Sequence, residues 1–222
     1  MDKTQNKEKL TFNRLSDDEM LQRADELYQQ LSTRRTVREY SNEPIPAGLL
    51  EKLIQSAGTA PSGANKQPWH FCVVTNPDLK RKIRESAEKE EKENYERRFS
   101  ASFKEDLAKF ETSFKKEYID HAPALIIVFK ERYQMENGVR RKNYYVNESV
   151  GIAIGFLITA IHNAGLVTLP HTPNPMSFLN DLLERPKNES PILLMPVGFP
   201  KKDTEVPVLS RKPLDEIMHI YD

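Results

Sequence analysis

The hydrophobic residues of this chain are concentrated in short runs that polar and charged stretches separate. Two of these runs, 124–129 and 192–197, are apolar throughout, which is typical of strands buried on both faces of a sheet. Two further runs, 69–74 and 166–169, also have the length and composition of strands. The pattern therefore predicts a sheet of four strands.

Helical periodicity accounts for most of the segments between these strands. A helix is predicted over 46–57, where the apolar residues share one face and a proline occupies the first turn. An apolar helix is predicted over 149–164 and a short one over 176–183. Residues 1–30 are predicted to form a peripheral, partly helical arm. Helices that alternate with four strands indicate an α/β (α+β) sandwich, with 31–222 as a single domain.

Residues 78–117 differ from the rest of the chain, because more than half of them are charged. Two helices are predicted in this segment. The second carries a narrow apolar seam along a charged surface, formed by Phe99, Phe103, Leu107, Phe110, Phe114 and Tyr118. Such a helix covers a neighbouring surface with one side and faces water with the other. A functional cover and a solvated insertion without a chemical role are both compatible with the pattern.

The charge balance and the cysteine content limit which binding partners and which cellular compartment are expected for this protein. The chain has 222 residues, and its 33 Lys and Arg balance 33 Asp and Glu, so no nucleic-acid partner is expected. The single cysteine, Cys72, allows no intramolecular disulfide and fits a reducing compartment. From its polar first residues we expect no signal peptide, and prolines and polar residues interrupt the uncharged stretch between Glu148 and Asp181. We therefore expect a cytoplasmic protein without a membrane span.

Several familiar catalytic and nucleotide-binding motifs do not occur in the sequence. It contains neither G-x-x-x-x-G-K-[ST] nor G-x-G-x-x-G, and it has no G-x-S-x-G. The five histidines are scattered without the spacing of metal ligands. The sequence therefore predicts no P-loop, no dinucleotide fingerprint and no metal site.

Two segments have the composition of ligand-binding sites. Arg34, Arg35 and Arg38 lie within five residues, and their guanidinium groups could hold a phosphate through bidentate hydrogen bonds, as could the later Arg211. Residues 60–69 form a loop of small residues between a helix and a strand, which would let the backbone approach a flat ligand closely. A solvated basic surface and an ordinary connecting loop fit the same residues.

A third candidate site lies in the charged segment. Glu91 and Tyr95 are four residues apart and would share one face of a helix. Together with Lys116 they could hold a zwitterionic amino acid, with Glu91 binding its ammonium group and Lys116 its carboxylate. Exposed surface residues without a ligand remain the alternative, because so many charges surround them.

Motifs from Arg34 onward occur in an order and spacing that resemble a known family. The motifs are Arg34-Arg35-Thr36-Val37-Arg38, the loop 57–64, Gln67-Pro68-Trp69, Glu91-x-x-x-Tyr95, Lys116-Glu117-Tyr118, Thr172-Pro173 and Arg211-Lys212-Pro213-Leu214-Asp215. They resemble those of nitroreductase-fold flavoproteins and, more closely, those of the iodotyrosine deiodinase family. The resemblance covers nearly all of the chain from Arg34 onward.

The resemblance implies a fold and a cofactor. The fold is the nitroreductase fold, in which helices flank a mixed central sheet, and the assembly is a homodimer with two FMN sites at the subunit interface. The implied cofactor-binding residues are Arg34, Arg35, Thr36, Arg38 and Arg211 near the phosphate, Pro61, Ser62 and Gly63 reaching FMN from the partner subunit, the backbone of Pro170 and His171, and Thr172. The Thr172 hydroxyl would bond to flavin N5, which is expected to favour one-electron steps.

The resemblance also implies a substrate and a reaction. Ala64, Glu91, Tyr95 and Lys116 would bind a halotyrosine, and a helical lid at about 85–118 would close over it. The reaction is the reductive removal of halide from 3-iodotyrosine, or from its bromo and chloro counterparts, to give tyrosine. Electrons would come from an external donor, either NAD(P)H directly or NAD(P)H through a reductase.

Two departures from the family pattern and two rival functions remain. Thr36 stands where the family usually has Ser, and Pro170-His171 replaces a run of threonines before Thr172. One rival is a generic FMN nitroreductase or flavin reductase, whose substrates would not need the zwitterion site. The other is a flavin- or amino-acid-binding protein without turnover.

Overall fold

A computed structural model describes residues 7–222, which belong to two units, Met1–Arg34 and Arg35–Asp222. The first unit contains helix α1 (Asp17–Ser32). Ser16 and Glu19 cap this helix reciprocally, because each side chain accepts a hydrogen bond from the other residue's backbone N–H. α1 buries none of its residues. Residues 1–6 of the predicted arm lie outside the described residues.

The second unit contains a four-stranded sheet, a hairpin and six further α-helices. In chain order its elements are α2 (Leu49–Gly58), β1 (Trp69–Val74), α3 (Pro77–Glu93), α4 (Ala101–Ala108), α5 (Tyr118–His121), β2 (Ala124–Glu131), β3 (Tyr133–Glu136), β4 (Val139–Lys142), α6 (Val146–Asn163), β5 (Val167–Thr168), α7 (Phe178–Leu182) and β6 (Glu189–Gly198). The sheet has the order β1-β2-β6-β5, and its three ladders are antiparallel. A parallel bridge between Thr36 and Thr168 makes the arrangement mixed.

Strand β2 is the centre of the core, as its apolar run predicts. Successive side chains point to opposite faces of a strand, so Leu125, Ile127 and Phe129 pack against α3, α5 and α7. Ile126 and Val128 pack on the other face against α2 and α6. All five side chains are fully buried, and each contributes on the order of 1.5–3 kcal/mol through the hydrophobic effect. The predicted helix–sheet–helix architecture is confirmed.

The structure corrects the start of the first predicted helix in this unit. α2 begins at Leu49 rather than at Pro46, because Gly48 is in the left-handed region with φ +80° and cannot continue a right-handed helix. The apolar helix α6 is longer than predicted at its start, and α7 is shorter than predicted. No helix among residues 7–222 has the length and apolarity that a membrane span requires.

The prediction of one apolar seam from Phe99 to Tyr118 is wrong. α3 ends in a π-helical turn, Asn94–Arg98, and Phe99 is extended. Ser100 then caps α4, which ends after eight residues. Glu111 has φ +49°, a conformation that stops a right-handed helix. Tyr118 therefore lies in the core rather than on this helix.

The hairpin of β3 and β4 was not predicted. Its two-residue turn, Asn137-Gly138, has positive φ at both positions, which is the usual hairpin signal. The flanking residues are mostly polar or charged and largely exposed, so the alternating hydrophobic pattern that identifies strands is missing. The turn chemistry could have been recognised, but the strands could not.

Candidate active site

Three ionisable side chains, Glu91, Lys116 and His171, form a buried charge cluster. Lys116 Nζ lies 3.2 Å from Glu91 Oε2, and the two side chains are 5% and 7% exposed. His171 Nε2 lies 3.7 Å from the other carboxylate oxygen, Oε1, and its side chain is 10% exposed. Charges are seldom buried this deeply without a partner. Glu91 and Lys116 therefore compensate each other's charge.

Different elements supply the three members of the buried charge cluster. Glu91 lies near the C-terminal end of α3, and Lys116 lies just before α5, where its backbone N–H bonds to Glu88 Oε1 at 2.7 Å. His171 follows β5, and its backbone exchanges two hydrogen bonds of 2.9 Å with Leu194 of β6. Because all three backbones are anchored in this way, the side chains meet without long flexible connections.

The segment 112–116 and the π-helical turn complete the surroundings of Lys116. Lys116 Nζ donates to Ser113 O at 2.6 Å and lies 5.5 Å from the centre of the Tyr95 ring. The Tyr95 hydroxyl donates to Thr112 O at 3.2 Å. The predicted residues Glu91, Tyr95 and Lys116 are thus brought together, although Tyr95 is on the π-helical turn rather than on α3.

His171 is buried with neither ring nitrogen in a hydrogen bond. Nδ1 and Nε2 both lack a hydrogen-bond partner within the described part of the chain. The ring packs edge-on against Tyr118, with centroids 5.6 Å apart. An unsatisfied buried polar group costs about 1–3 kcal/mol, so this position is suited to receive a polar group from a ligand.

Burial and mutual contact set the pKa values of the buried charge cluster. Burial acts to raise the pKa of Glu91, but contacts with His171 and Lys116 outweigh it, and the pKa is lowered. Burial lowers the pKa of Lys116, and Glu91 opposes that effect. Burial likewise lowers the pKa of His171. At neutral pH Glu91 is therefore ionised and the His171 imidazole is neutral.

Arg38 lines two surface clefts. One, of about 410 Å³, includes Thr112, Ser113 and Tyr118, which contact members of the cluster. The other, of about 610 Å³, is lined by Thr36, Arg38, Lys109, Phe110, Val206 and Pro207 together with four carboxylates. The smaller cleft is therefore lined by neighbours of the cluster rather than by its three members, and the larger one is not a purely cationic pocket.

The loop 61–67 has an unusual backbone. Ala64, Asn65 and Gln67 have φ values of +51°, +52° and +47°, and such left-handed residues other than glycine cost on the order of 1 kcal/mol or more each. Gly63 N donates to Ser149 Oγ of α6 at 3.3 Å. A Cβ on Gly63 would lie 2.8 Å from Tyr145 Cδ2. The close approach of this loop to the start of α6 therefore requires glycine at position 63.

Comparison with known proteins identifies the family. Residues 31–199 match the nitroreductase family model. An iodotyrosine deiodinase of Haliscomenobacter hydrossis is 53% identical over 205 residues, which is 92% of each chain. The chain belongs to the iodotyrosine deiodinase branch of the nitroreductase family.

Other relatives of this family branch agree in sequence and in fold. Iodotyrosine deiodinase 1 of Homo sapiens is 46% identical over 210 residues, which is 94% of this chain and 73% of the human protein. A crystal structure of oxidized iodotyrosine deiodinase bound to FMN and 3-iodo-L-tyrosine has a TM-score of 0.76 and 32% identity to this chain. That similarity covers 88% of this chain and 98% of the solved chain.

The structure places the predicted cofactor-binding residues in several locations. Arg34 ends the first unit. In the second unit, Arg35 donates to Pro207 O, and Thr36 and Arg38 line the larger cleft. Of the other cofactor-binding residues, Pro61, Pro170, Thr172 and Arg211 are exposed, and Ala64 of the predicted substrate site is also exposed. Ser62 and Gly63 lie half-buried in the loop 61–67.

One group of possible metal ligands escaped the sequence analysis. Ligand atoms of His70, Glu131 and Glu189 lie within 4.8 Å of one another, because neighbouring strands bring them together. Arg185, however, donates to both carboxylate oxygens of Glu189 at 2.7 and 2.6 Å. The Glu189 carboxylate is thus already in a bidentate ion pair.

Proposed function

We propose that this chain catalyses the FMN-dependent removal of halide from halotyrosines, with 3-iodotyrosine as the reference substrate. In this reaction the carbon–halogen bond breaks, a hydrogen takes its place, and tyrosine and halide leave. The change consumes two electrons and one proton, and bound FMN supplies the electrons. The observation that carries the proposal is the buried pairing of Glu91 with Lys116, in a chain whose relatives are iodotyrosine deiodinases.

The buried charge cluster matches the two charges of an amino acid. Glu91 Oε2, which is paired with Lys116 at 3.2 Å, would accept from the substrate's ammonium group. Lys116 would then donate to the substrate's carboxylate. Each buried charge exchanges one partner of opposite sign for another, so binding leaves neither of them unpaired. Tyr95 lies beside Lys116 and would contact the substrate from the same side, and Ala64 of the loop 61–67 completes the proposed substrate site.

The residues of the chain fit FMN. Arg35, Arg38 and Arg211, with Arg34 and Thr36, would bind the phosphate and nearby polar atoms. Thr172 is exposed directly beside the buried His171, where its hydroxyl could face flavin N5, and the backbone of Pro170 and His171 would lie along the flavin. The unsatisfied nitrogens of His171 indicate that this pocket accepts a polar ligand.

The segment 85–118 would act as a lid over the substrate. It supplies Glu91, Tyr95 and Lys116, while α4 between them buries none of its residues. A segment with few buried side chains opens more easily than the core, and ordering it over a ligand would exclude water from the reacting atoms. The buried ion pair would hold the base of this lid, and α4 would be its mobile part.

We also propose a homodimer with FMN at the subunit interface, where Pro61, Ser62 and Gly63 reach FMN from the partner subunit. Two observations support it. Ile152 and Phe156 of α6 are each 42% exposed, and Val208, Ile217 and Ile220 are exposed along the C-terminal segment. Apolar surfaces of this kind commonly mark interfaces. The loop 61–67 packs on the start of the same helix, so α6 would carry both the interface and the cofactor loop.

The electron donor and the compartment complete the proposal. An external donor, NAD(P)H directly or through a reductase, would reduce FMN. The one cysteine of the sequence fits a cytoplasmic location. Light scattering of the FMN-loaded protein tests the dimer, because a particle of about twice 25.7 kDa is expected. A monomer that retains FMN would contradict the shared site.

The decisive experiment measures iodide release from 3-iodotyrosine by the dithionite-reduced, FMN-loaded protein. Stoichiometric iodide and tyrosine would support the proposed reaction. Turnover of nitroaromatics with neither iodotyrosine binding nor iodide release would favour a generic nitroreductase instead. Binding of halotyrosine without halide release would indicate a binding protein, and failure to bind FMN under any reconstitution condition would overturn the proposal.

A further inference from the structure

The proposed function gives no role to the side chain of His171, the third member of the buried charge cluster. Its backbone is fixed by two hydrogen bonds to Leu194 and its ring by the edge-on contact with Tyr118. Its side chain is nine-tenths buried, yet both nitrogens lack a hydrogen-bond partner within residues 7–222. Because the ring is held in place and its nitrogens make no hydrogen bond, it can hydrogen-bond to a group that approaches it in the pocket.

The Glu91 carboxylate approaches the His171 ring with Oε1, the oxygen that Lys116 does not occupy. Nε2 lies 3.7 Å from Oε1, while Lys116 occupies Oε2 at 3.2 Å. The gap of 3.7 Å is beyond a normal hydrogen bond, but a small rotation of the carboxylate would close it. A neutral imidazole with its proton on Nε2 would then donate to Oε1. The two oxygens of Glu91 would then be divided between two donors.

From this geometry we infer that His171 is a positioning residue for recognition of the substrate's ammonium group, an inference that rests on the proposed function. When the substrate's carboxylate draws Lys116 away from Glu91, the His171 Nε2–H bonds to Oε1 and holds the carboxylate in place. Oε2 is then presented to the incoming ammonium group. His171 acts through Glu91 and selects for zwitterionic ligands over ligands that lack the amino group.

The same geometry makes recognition sensitive to acid. The groups that face the ring are Glu91 from α3, Lys116 before α5 and Tyr118 from α5, and Arg38 adds a more distant positive charge. Protonation of His171 would add a second cation beside Lys116. This imidazolium would compete with the ammonium group for the Glu91 carboxylate, so the affinity for halotyrosine falls as His171 becomes protonated.

The test compares two ligands on the oxidised, FMN-loaded protein. One is 3-iodotyrosine, and the other is its desamino analogue, which keeps the carboxylate and the iodophenol but has no ammonium group. Dissociation constants are measured from the change in flavin absorbance, without turnover. The variants are His171→Phe, which retains a flat ring without donors, and His171→Gln, which retains an N–H donor. His70→Gln on strand β1 is the control for histidine removal elsewhere.

We expect His171→Phe to weaken 3-iodotyrosine binding about tenfold, the scale of one hydrogen bond to a charged group, and the desamino analogue less than twofold. His171→Gln should recover most of the affinity. Between pH 7.5 and 5 the wild-type protein should lose affinity for 3-iodotyrosine more steeply than His171→Gln does. His70→Gln should behave as the wild type.

Several results would overturn the inference. Equal losses for both ligands would mean that His171 only supports the fold of the pocket, and unchanged affinity in His171→Phe would mean that it has no part in recognition. If the affinity for 3-iodotyrosine depended on pH in the same way in the wild type and in His171→Gln, competition by the His171 imidazolium would be ruled out. If the wild-type protein bound neither ligand, the proposed function itself would fail. If the wild type bound 3-iodotyrosine and the His171 variants bound it equally well, only the role of His171 would be refuted.

Discussion

Lys116 Nζ lies 3.2 Å from Glu91 Oε2, and both side chains are more than nine-tenths buried. The pair differs from the other ion pairs of the charged segment, which are half-buried, such as Arg84 with Glu88, or exposed, such as Lys92 with Glu96. Desolvation makes an isolated buried charge very costly, so each member depends on the other while the pocket is empty. A zwitterion presents the same two charges, so in the proposed site the pair would serve as a preformed template for an amino acid.

The dependence of Glu91 and Lys116 on each other is measurable in a double-mutant cycle. Glu91→Gln and Lys116→Met should each lower the free energy of unfolding by about 3–5 kcal/mol, because each leaves a buried charge without its partner. The double variant should lose less than the sum, as measured by denaturant titration. The exposed pair Lys92 and Glu96 is the matched control and should show at most about 1 kcal/mol of coupling.

The same single variants test the substrate site. Both should weaken 3-iodotyrosine binding sharply while FMN remains bound, because in the proposed site Glu91 and Lys116 contact only the charged ends of the substrate. Titration of the flavin absorbance measures both affinities. Unchanged affinity for 3-iodotyrosine in both variants would contradict the assignment of Glu91 and Lys116.

A glycine pair tests the tight packing of the loop 61–67. Gly63→Ala would place Cβ 2.8 Å from Tyr145 Cδ2 and 3.0 Å from Tyr144 O, and overpacking of this kind costs about 1–3 kcal/mol. We also expect FMN to bind more weakly, because this loop belongs to the proposed cofactor site. Gly58→Ala is the control, since it meets no atom within 4 Å at the end of α2 and should be neutral or stabilising by up to about 1 kcal/mol. Equal stability of the two variants, measured by denaturant titration, would contradict the close contact.

The core of the fold could be predicted from the sequence, because its signals are local. The apolar run in β2 identifies a strand buried on both faces, and the structure confirms it. The end of α4 could not be predicted, since the apolar spacing continues to Tyr118. The helix nevertheless ends at Ala108, and the positive φ of Glu111 prevents a right-handed helix from resuming there. The spacing of apolar residues indicates which residues could share one face of a helix, but it does not indicate where the helix ends.

The candidate site could be predicted only in part. Glu91 and Lys116 lie among so many charged residues that spacing alone could not separate them from surface positions, and the resemblance to a family selected them. Their burial, and the contact with His171, depend on how α3, the segment before α5 and the loop after β5 come together. Long-range contacts of this kind leave no periodic signal in the sequence.

Thr172 tests the proposed tuning of the flavin. Thr172→Ala should still bind FMN, because the proposed phosphate contacts lie elsewhere. The potential of the first one-electron reduction should fall relative to that of the second once the proposed bond to flavin N5 is lost. A redox titration followed by visible absorbance measures this separation. An unaltered separation, with normal FMN affinity, would refute a bond from Thr172 to N5.

His171 predicts how the stability of the empty protein depends on pH. Burial lowers its pKa in the folded state below the value of about 6.5 that it has in an unfolded chain. Between these two pKa values the unfolded chain binds a proton that the folded chain does not, so the free energy of unfolding decreases as the pH falls below about 6.5. The slope cannot exceed about 1.4 kcal/mol per pH unit for one proton. Glu91 also has a lowered pKa, but its contribution to the free energy of unfolding is lost only below the ordinary glutamate value of about 4.3.

Denaturant titrations between pH 7.5 and 5.5 should therefore show a shallower pH dependence of the free energy of unfolding for His171→Gln than for the wild type. Identical slopes would mean that the folded protein accepts the proton at His171 as readily as the unfolded chain does, and that the ring is not confined in the way its burial indicates.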